Sequence, residues 1–366
     1  MPAGYLEQTL ELARRGLHLT SPNPCVGAIL VNGGEVAGCG FHTFAGVKHA
    51  ETLALEQAGE RAKGATLYVN LEPCSHQGRT GACADALIAA GVGKVVAITA
   101  DPNPEVSGRG FEKLRAAGIE VIVDGTLEAE AQKLNQGFFH YMRTGLPLVT
   151  LKSALTLDGK IAAPEDNSGW ITSERAREHV QTLRHAHDAM LTGVGTVLSD
   201  NPMLNDRSGL ERSRPLLRVV ADSMLRTPLD HKIVESCQRD VLIFCTSVAP
   251  KERRQALEAK GVEVIVADNE QGRVDLRAII GLLAKRRYLS VMIEAGSKLN
   301  WALLEAGIVD RVFFYYAIKI LGGLQSLPVA GGSGKRTRME AIHLKDLTLH
   351  RITEDEFAVE AWMPKA

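Results

Sequence analysis

Four side chains in the first quarter of the chain constrain it most: His49 and Glu51 on either side of Ala50, Cys74 after Pro73, and Cys83. One imidazole and two thiolates can hold Zn²⁺ and leave a fourth position to water, which the ion acidifies toward neutral pH. A carboxylate beside the histidine can then move that proton without touching the metal. For this chemistry to operate, three segments distant in sequence must meet.

The flanking pattern supplies a suitable scaffold. Leu6, Leu10, Ala13 and Leu17 share a helical face that ends near Gly16 to His18. Short apolar strands are expected at 25–31 and 36–40, joined by the hairpin signal Asn32-Gly33-Gly34. A helix over 49–58, a strand over 66–71, a helix over 82–90 stopped at Gly91, a strand over 95–99, a helix over 112–117 and a strand over 120–123 follow. This alternation reads as three-layer α/β. It places His49 at one helix start, Cys74 in a strand-to-helix connection and Cys83 at the next helix start. The helix dipole there favours thiolate over thiol.

A boundary is expected near 141–147, giving domains over 1–145 and 146–366. In the second, strands are expected at 148–154, 189–192, 216–221, 241–245, 262–266, 290–294 and 311–316. Helices are expected at 173–187, 275–285 and 299–306, with a polar loop over 201–215.

Composition excludes several classes. A chain of 366 residues exceeds one ordinary core. With 42 basic against 43 acidic side chains and 5% aromatics, it lacks the basic, aromatic-lined groove of a nucleic-acid enzyme. No apolar run approaches a membrane span, and Met1-Pro2-Ala3-Gly4-Tyr5 has neither the basic nor the apolar part of a signal peptide. Six cysteines in such a length do not form a disulfide scaffold, so thiols are read as ligands or core and the cytoplasm is the expected compartment.

The ordered set His49-x-Glu51, Pro73-Cys74, Cys83 is that of a zinc deaminase, although eight residues separate the cysteines where two are usual. A structural zinc site is the rival, with His42 or His76 as fourth ligand; Glu51 speaks against it. Cys25, Cys39, Cys237 and Cys245 lie in or beside apolar runs and read as buried thiols. Asn23, stiffened by Pro22 and Pro24, can hydrogen-bond a substrate ring or simply form a turn. The stretch 75–82 can gather His76, Arg79 and Thr80 around an anion, and Asp101-Pro102-Asn103-Pro104 can form a second wall. In the second half, Gly193-Val194-Gly195-Thr196 and Glu294-Ala295-Gly296-Ser297 follow strands, where a phosphate can approach backbone N–H groups. Neither fits a dinucleotide or P-loop fingerprint. Trp170 is a candidate platform for a flat ring, or a core residue.

Taken together, Pro22-Asn23-Pro24-x-Val26-Gly27, His49-Ala50-Glu51, Leu71-Glu72-Pro73-Cys74-Ser75-His76-x-Gly78-Arg79-Thr80 and Asp101-Pro102-Asn103-Pro104 resemble the bifunctional riboflavin-biosynthesis deaminase/reductases. The wide cysteine spacing belongs to that pattern. Lys152-x-Ala154-x-x-x-Asp158-Gly159, Trp170-Ile171-Thr172, Gly195-Thr196-Val197-Leu198-x-Asp200-Asn201-Pro202 and Leu321-Gly322-Gly323 extend the likeness through the second half. Ala295 stands where a second glycine is frequent, and Ile318 where proline is common.

The resemblance implies a cytidine-deaminase-like α/β/α domain followed by a dihydrofolate-reductase-like α/β domain. It implies deamination of 2,5-diamino-6-ribosylamino-4(3H)-pyrimidinone 5′-phosphate by metal-activated water, then NADPH-dependent reduction of the ribosyl side chain to ribityl. His49, Cys74 and Cys83 match the zinc ligands and Glu51 the proton shuttle. Ala154, Trp170, Thr196, Asp200, Gly296 and Ser297 match NADPH contacts; Ser168, Arg184, Leu204, Arg207 and Glu294 match substrate contacts. Lys152 or Glu294 can polarise the carbonyl or hold the ribose, and Asn23, His76, Asp101 and Asn103 are the remaining candidate substrate contacts. Arg184 and Arg207 are expected on the 5′-phosphate. Small pyrimidine ribosyl phosphates are the expected partners, with no nucleic acid or membrane, and a homo-oligomer is expected. The alternative is a deaminase with a non-catalytic second domain.

Overall fold

The computed structural model describes residues 4–44, 47–75, 81–104, 106–165 and 169–364. Its contacts divide into two compact units, one of residues 1–146 with 211–214, the other of 147–210 with 215–366.

The first unit runs α1 (Tyr5–Arg14), β1 (Gly27–Asn32), β2 (Glu35–Phe41), α2 (Ala50–Ala58), β3 (Thr66–Val69), α3 (Cys83–Ala89), β4 (Lys94–Ala97), α4 (Arg109–Ala116), β5 (Glu120–Val123), α5 (Glu128–Leu134) and α6 (Gln136–Thr144). Its sheet has the order β2-β1-β3-β4-β5. β1 is antiparallel to both neighbours, while β3, β4 and β5 are parallel. Strand alternation sorts the side chains onto two faces. Leu67, Val69, Val95 and Ala97 pack with Ala50, Ala54, Leu87 and Leu114 from α2, α3 and α4. Val96 and Ile98 pack on the opposite face with Leu6 and Leu10 of α1 and Ala131 of α5. The apolar face expected of α1 thus finds its core, through Leu6, Leu10 and Ala13; Leu17 lies beyond the helix and is exposed.

Glycine lets α2 seat directly on the hairpin. A Cβ at Gly38 would lie 2.2 Å from Ala54 O, and one at Gly40 would lie 2.4 Å from Ala50 O. This close approach fixes the start of α2, where His49 is the N-cap and Glu51 falls in the first turn.

The second unit runs β6 (Leu148–Thr156), β7 (Lys160–Ala162), α7 (Glu174–His185), β8 (Ala189–Gly193), α8 (Val194–Asp200), β9 (Leu217–Ala221), α9 (Lys232–Glu235), β10 (Val241–Cys245), α10 (Lys251–Ala259), β11 (Glu263–Val266), α11 (Leu276–Lys285), β12 (Ser290–Ile293), α12 (Ser297–Glu305), β13 (Arg311–Ala317), β14 (Leu327–Pro328), β15 (Lys345–Arg351) and β16 (Glu356–Trp362). Nine strands form one sheet in the order β11-β10-β9-β8-β12-β6-β13-β16-β15. The first seven in that order run parallel, and β16 and β15 close the edge as an antiparallel hairpin. Both faces are covered, as a parallel sheet requires. Val180, Val197, Ile233 and Leu257 pack on one face, and Ile279, Leu283 and Leu303 on the other.

Candidate active sites

In the first unit, three donors converge. His49 Nδ1 lies 3.2 Å from Cys83 Sγ and 3.6 Å from Cys74 Sγ. All three ligand atoms fall within 4.8 Å of one another. A tetrahedral zinc with ordinary Zn–S and Zn–N lengths separates such donors by about 3.5–3.8 Å, so the set fits the ion. Cys74 enters from the loop after β3, and Cys83 opens α3. The Cys83 N–H donates to Cys74 Sγ at 3.3 Å. The Cys83 thiol also donates to Cys74, which brings Cys74 down to about 4 and pushes Cys83 up. The pair therefore yields one thiolate readily, at Cys74, while Cys83 holds its proton.

Glu51 is buried beside these donors, 3% exposed. Burial, reinforced by the Cys74 charge, raises its carboxyl to about 7. A group that exchanges protons near neutrality is what general acid–base catalysis needs.

His42 is not a fourth donor. Its ring nitrogens lie 3.2 Å from Asn23 Nδ2 and 3.3 Å from Lys48 O, and its ring meets that of His49 edge-on at 5.1 Å. Asn23 is thereby linked through His42 to the donor cluster. His76, Arg79 and Thr80 lie outside the described residues, as does Ser168. Asp101 is buried, and its Oδ1 accepts the Asn103 N–H at 2.8 Å. Of the other thiols, Cys25 and Cys245 are buried, whereas Cys39 and Cys237 are only partly covered.

Three residues received no role from the sequence. Asn70 and Asn135 clamp the backbone of Cys25 and Gly27, which fixes the strand after Asn23. Glu72 gathers backbone N–H groups from 101–111. Glu72 stood within the quoted motif; Asn135, 110 residues from Cys25, gave no signal.

In the second unit the chain order reverses between β8 and β12: β9, β10 and β11 continue on one side of β8, and β12 and β6 lie on the other. Ligands of open parallel sheets bind at the carboxyl ends of strands at such a switch. Gly193, Thr196, Glu294, Gly296 and Ser297 lie at or just beyond those ends. A Cβ at Gly296 would sit 3.8 Å from Thr196 Oγ1, so the two loops face each other. Ser297 Oγ, in the first turn of α12, is buried and has no hydrogen-bond partner among the described residues. An orphaned hydroxyl at a helix start fits a nucleotide phosphate.

Beside this crevice Lys152, Arg184 and Glu294 form one cluster. Arg184 Nε and Nη2 reach the Glu294 carboxylate at 2.7 and 3.1 Å, and Lys152 Nζ reaches it at 3.3 Å. Burial pushes the Glu294 carboxyl up, but Lys152 and Arg184 outweigh it and hold it at about 2. The Arg184 guanidinium, expected on a phosphate, is thus engaged by Glu294 and also donates to Asn205 O at 3.1 Å. Arg207, in the same loop, is exposed and donates its backbone N–H to Gln181. Leu204 is buried. Ala154 pairs with Tyr315 across β6 and β13. Asp200 is exposed at the end of α8 and accepts from Ser199 Oγ. Trp170 is 71% exposed, with the Arg177 guanidinium 4.7 Å over its ring; it is a surface platform and not core.

The comparisons agree with both halves. Residues 3–99 match the cytidine and deoxycytidylate deaminase zinc-binding region, and residues 147–356 match the RibD C-terminal domain. The riboflavin biosynthesis protein RibD of Actinobacillus pleuropneumoniae is 43% identical over 351 residues, 96% of this chain and 93% of that protein. RibD of Escherichia coli K12 is 44% identical over 339 residues, 88% and 90% of the two chains. The structure of Acinetobacter baumannii RibD superposes with a TM-score of 0.88 at 38% identity, covering 99% of this chain and 98% of that one. A Thermotoga maritima deaminase/reductase superposes at 0.81 with 36% identity, covering 98% of each.

Fold and sites define a bifunctional enzyme, a zinc-binding deaminase domain followed by a reductase domain. The chain belongs to the RibD family of riboflavin biosynthesis. A match spanning 147–356 favours two activities over a deaminase with an inert second half. Among the described residues no helix is long and apolar enough to cross a membrane.

Proposed function

We propose that residues 1–145 remove an amino group from the pyrimidine of 2,5-diamino-6-ribosylamino-4(3H)-pyrimidinone 5′-phosphate. Residues 146–366 then reduce the ribosyl side chain of 5-amino-6-(5-phosphoribosylamino)uracil to ribityl. The observation that carries the first assignment is the convergence of His49, Cys74 and Cys83 beside a buried carboxyl raised to about 7.

When bound, zinc supplies an acidified water. His49, Cys74 and Cys83 would hold the ion. Glu51 takes one proton from the attacking water and delivers it to the ring nitrogen, then takes the second from the newly added hydroxyl and delivers it to the amino group, which leaves as ammonia. Asn23, Asp101 and Asn103 orient the pyrimidine, with His76 near the anionic end.

NADPH supplies the hydride for the sugar C1 after ring opening. Thr196, Gly296 and Ser297 would hold its phosphates, with Ala154, Trp170 and Asp200 along the rest of the cofactor. Lys152 holds the sugar oxygen with its ammonium. Glu294 holds Lys152 and Arg184 in place, and Arg184 and Arg207, with Ser168 and Leu204, receive the sugar phosphate.

Purified chain incubated with the diaminopyrimidine phosphate should release one ammonia and oxidise one NADPH per substrate. Ammonia without NADPH oxidation would overturn the second assignment, and no ammonia release would overturn the first. A cytoplasmic location accords with six unpaired thiols. A homo-oligomer accords with the exposed Leu347 and Leu349 on edge strand β15, and sedimentation would check it.

A further inference from the structure

We propose that Glu72 is a positioning residue that locks the Cys74 loop to the loop bearing Asp101 and Asn103, so that a metal donor and the pyrimidine wall form one body. The inference rests on the deaminase reading above and adds a residue to it.

Glu72 is 3% exposed and immediately precedes Pro73-Cys74. One carboxylate oxygen, Oε2, accepts the N–H groups of Asp101 at 3.1 Å and Gly108 at 2.9 Å. The other, Oε1, accepts those of Gly110 at 2.8 Å and Phe111 at 3.3 Å. The Glu72 N–H donates to Thr99 O at 3.0 Å, tying the same residue to the end of the neighbouring strand. A simple cap for α4 would need only the Gly110 and Phe111 contacts. The contacts to Asp101 and Gly108 extend the embrace across the whole turn from the substrate wall to the helix.

The packing leaves no slack. A Cβ at Gly110 would lie 2.1 Å from Pro73 O and 3.0 Å from Glu72 Oε1, so α4 touches the backbone beside Cys74. On its other side Cys74 is held by α3, through Ala84 N–H to Cys74 O at 3.1 Å and Cys83 N–H to Cys74 Sγ at 3.3 Å. Cys74 is therefore gripped from two directions, and Glu72 is the grip that also sets Asp101. A carboxylate offers lone pairs on both oxygens, enough for four donors; a glutamine amide would turn its own NH₂ toward two of them. The expected effect is a loss of register between wall and metal, not of the metal itself.

The test compares full-length wild type, Glu72→Gln and Glu72→Asp. Readouts are zinc content, ammonia release, the reduction rate with the deaminated substrate, and hydrogen exchange over 101–111 in zinc-loaded and zinc-stripped protein. For Glu72→Gln we expect zinc and reduction retained, exchange of that segment accelerated at least tenfold with or without zinc, and the deamination KM raised at least tenfold with a smaller fall in kcat. Glu72→Asp should be intermediate in both. Faster exchange with an unchanged KM would show a merely structural cap and overturn the proposal, as would unchanged exchange. If Glu72→Gln does not fold, Glu72→Asp decides, and a wild-type KM in it is contrary. Absence of ammonia release by the zinc-loaded wild type would instead overturn the deaminase reading.

Discussion

His49 Nδ1 and Cys83 Sγ stand 3.2 Å apart, although 34 positions separate the two residues in sequence. Only a seated α2 and a correctly started α3 produce that proximity. Replacing Cys83 by alanine removes one of three protein donors. Zinc content should fall well below one per chain and deamination by at least about 100-fold, with reduction by the second unit kept. Metal analysis and the two separate assays check this.

Glu51 makes no demand on the metal. Glu51→Gln should keep zinc at the wild-type level and lower deamination by about 10²–10⁴-fold, the range for a lost general acid–base. Wild-type turnover in that variant would remove Glu51 from its role.

A methyl added at Gly40 would meet Ala50 O at 2.4 Å and Leu53 Cβ at 2.6 Å. Gly40→Ala should therefore lift α2 and cost about 1–3 kcal/mol, as overpacking does. Because His49 stands at the N-terminal end of that helix, zinc retention against a chelator should weaken as well. Melting curves and zinc competition read the two effects.

Glu294 gives the second unit a pH dependence with a definite sign. Its folded value of about 2 lies below the ordinary 4.5, so its contribution to stability is present above that ordinary value. The contribution, on the order of 3 kcal/mol, fades as pH falls from about 4.5 toward 2. All three tryptophans, Trp170, Trp301 and Trp362, lie in this unit, so their fluorescence in urea follows it alone. Lys152→Met should weaken this dependence and slow reduction by at least about 100-fold, since the ammonium acts on the sugar. Normal reduction in that variant would dismiss the lysine.

Much of this was legible because local signals agreed. The hairpin at Asn32-Gly33-Gly34, the α1 stripe, every strand of the first sheet and all but β15 and β16 of the second announce themselves through period and turn residues. So does the set His49, Cys74 and Cys83, whose types are rare in combination and whose ligand atoms the fold brings within 4.8 Å of one another. The charged helix α10 was missed because it buries only Leu257, leaving no stripe to see. β15 was missed because it is an edge strand, exposed along nearly its whole length. In α8 the glycines of Gly193-Val194-Gly195 masked a helix start. The Arg184–Glu294 pair was not legible because the two residues lie 110 positions apart. Glu72 escaped for the same reason: its donors are 29 to 39 residues distant.

The most direct test of the central claim is zinc-edge X-ray absorption of the isolated enzyme. An open three-ligand site should give two sulfurs near about 2.3 Å, one imidazole near about 2.0 Å and one further light oxygen ligand. A fourth protein donor filling the shell, or an enzyme that deaminates with no zinc at all, would contradict it.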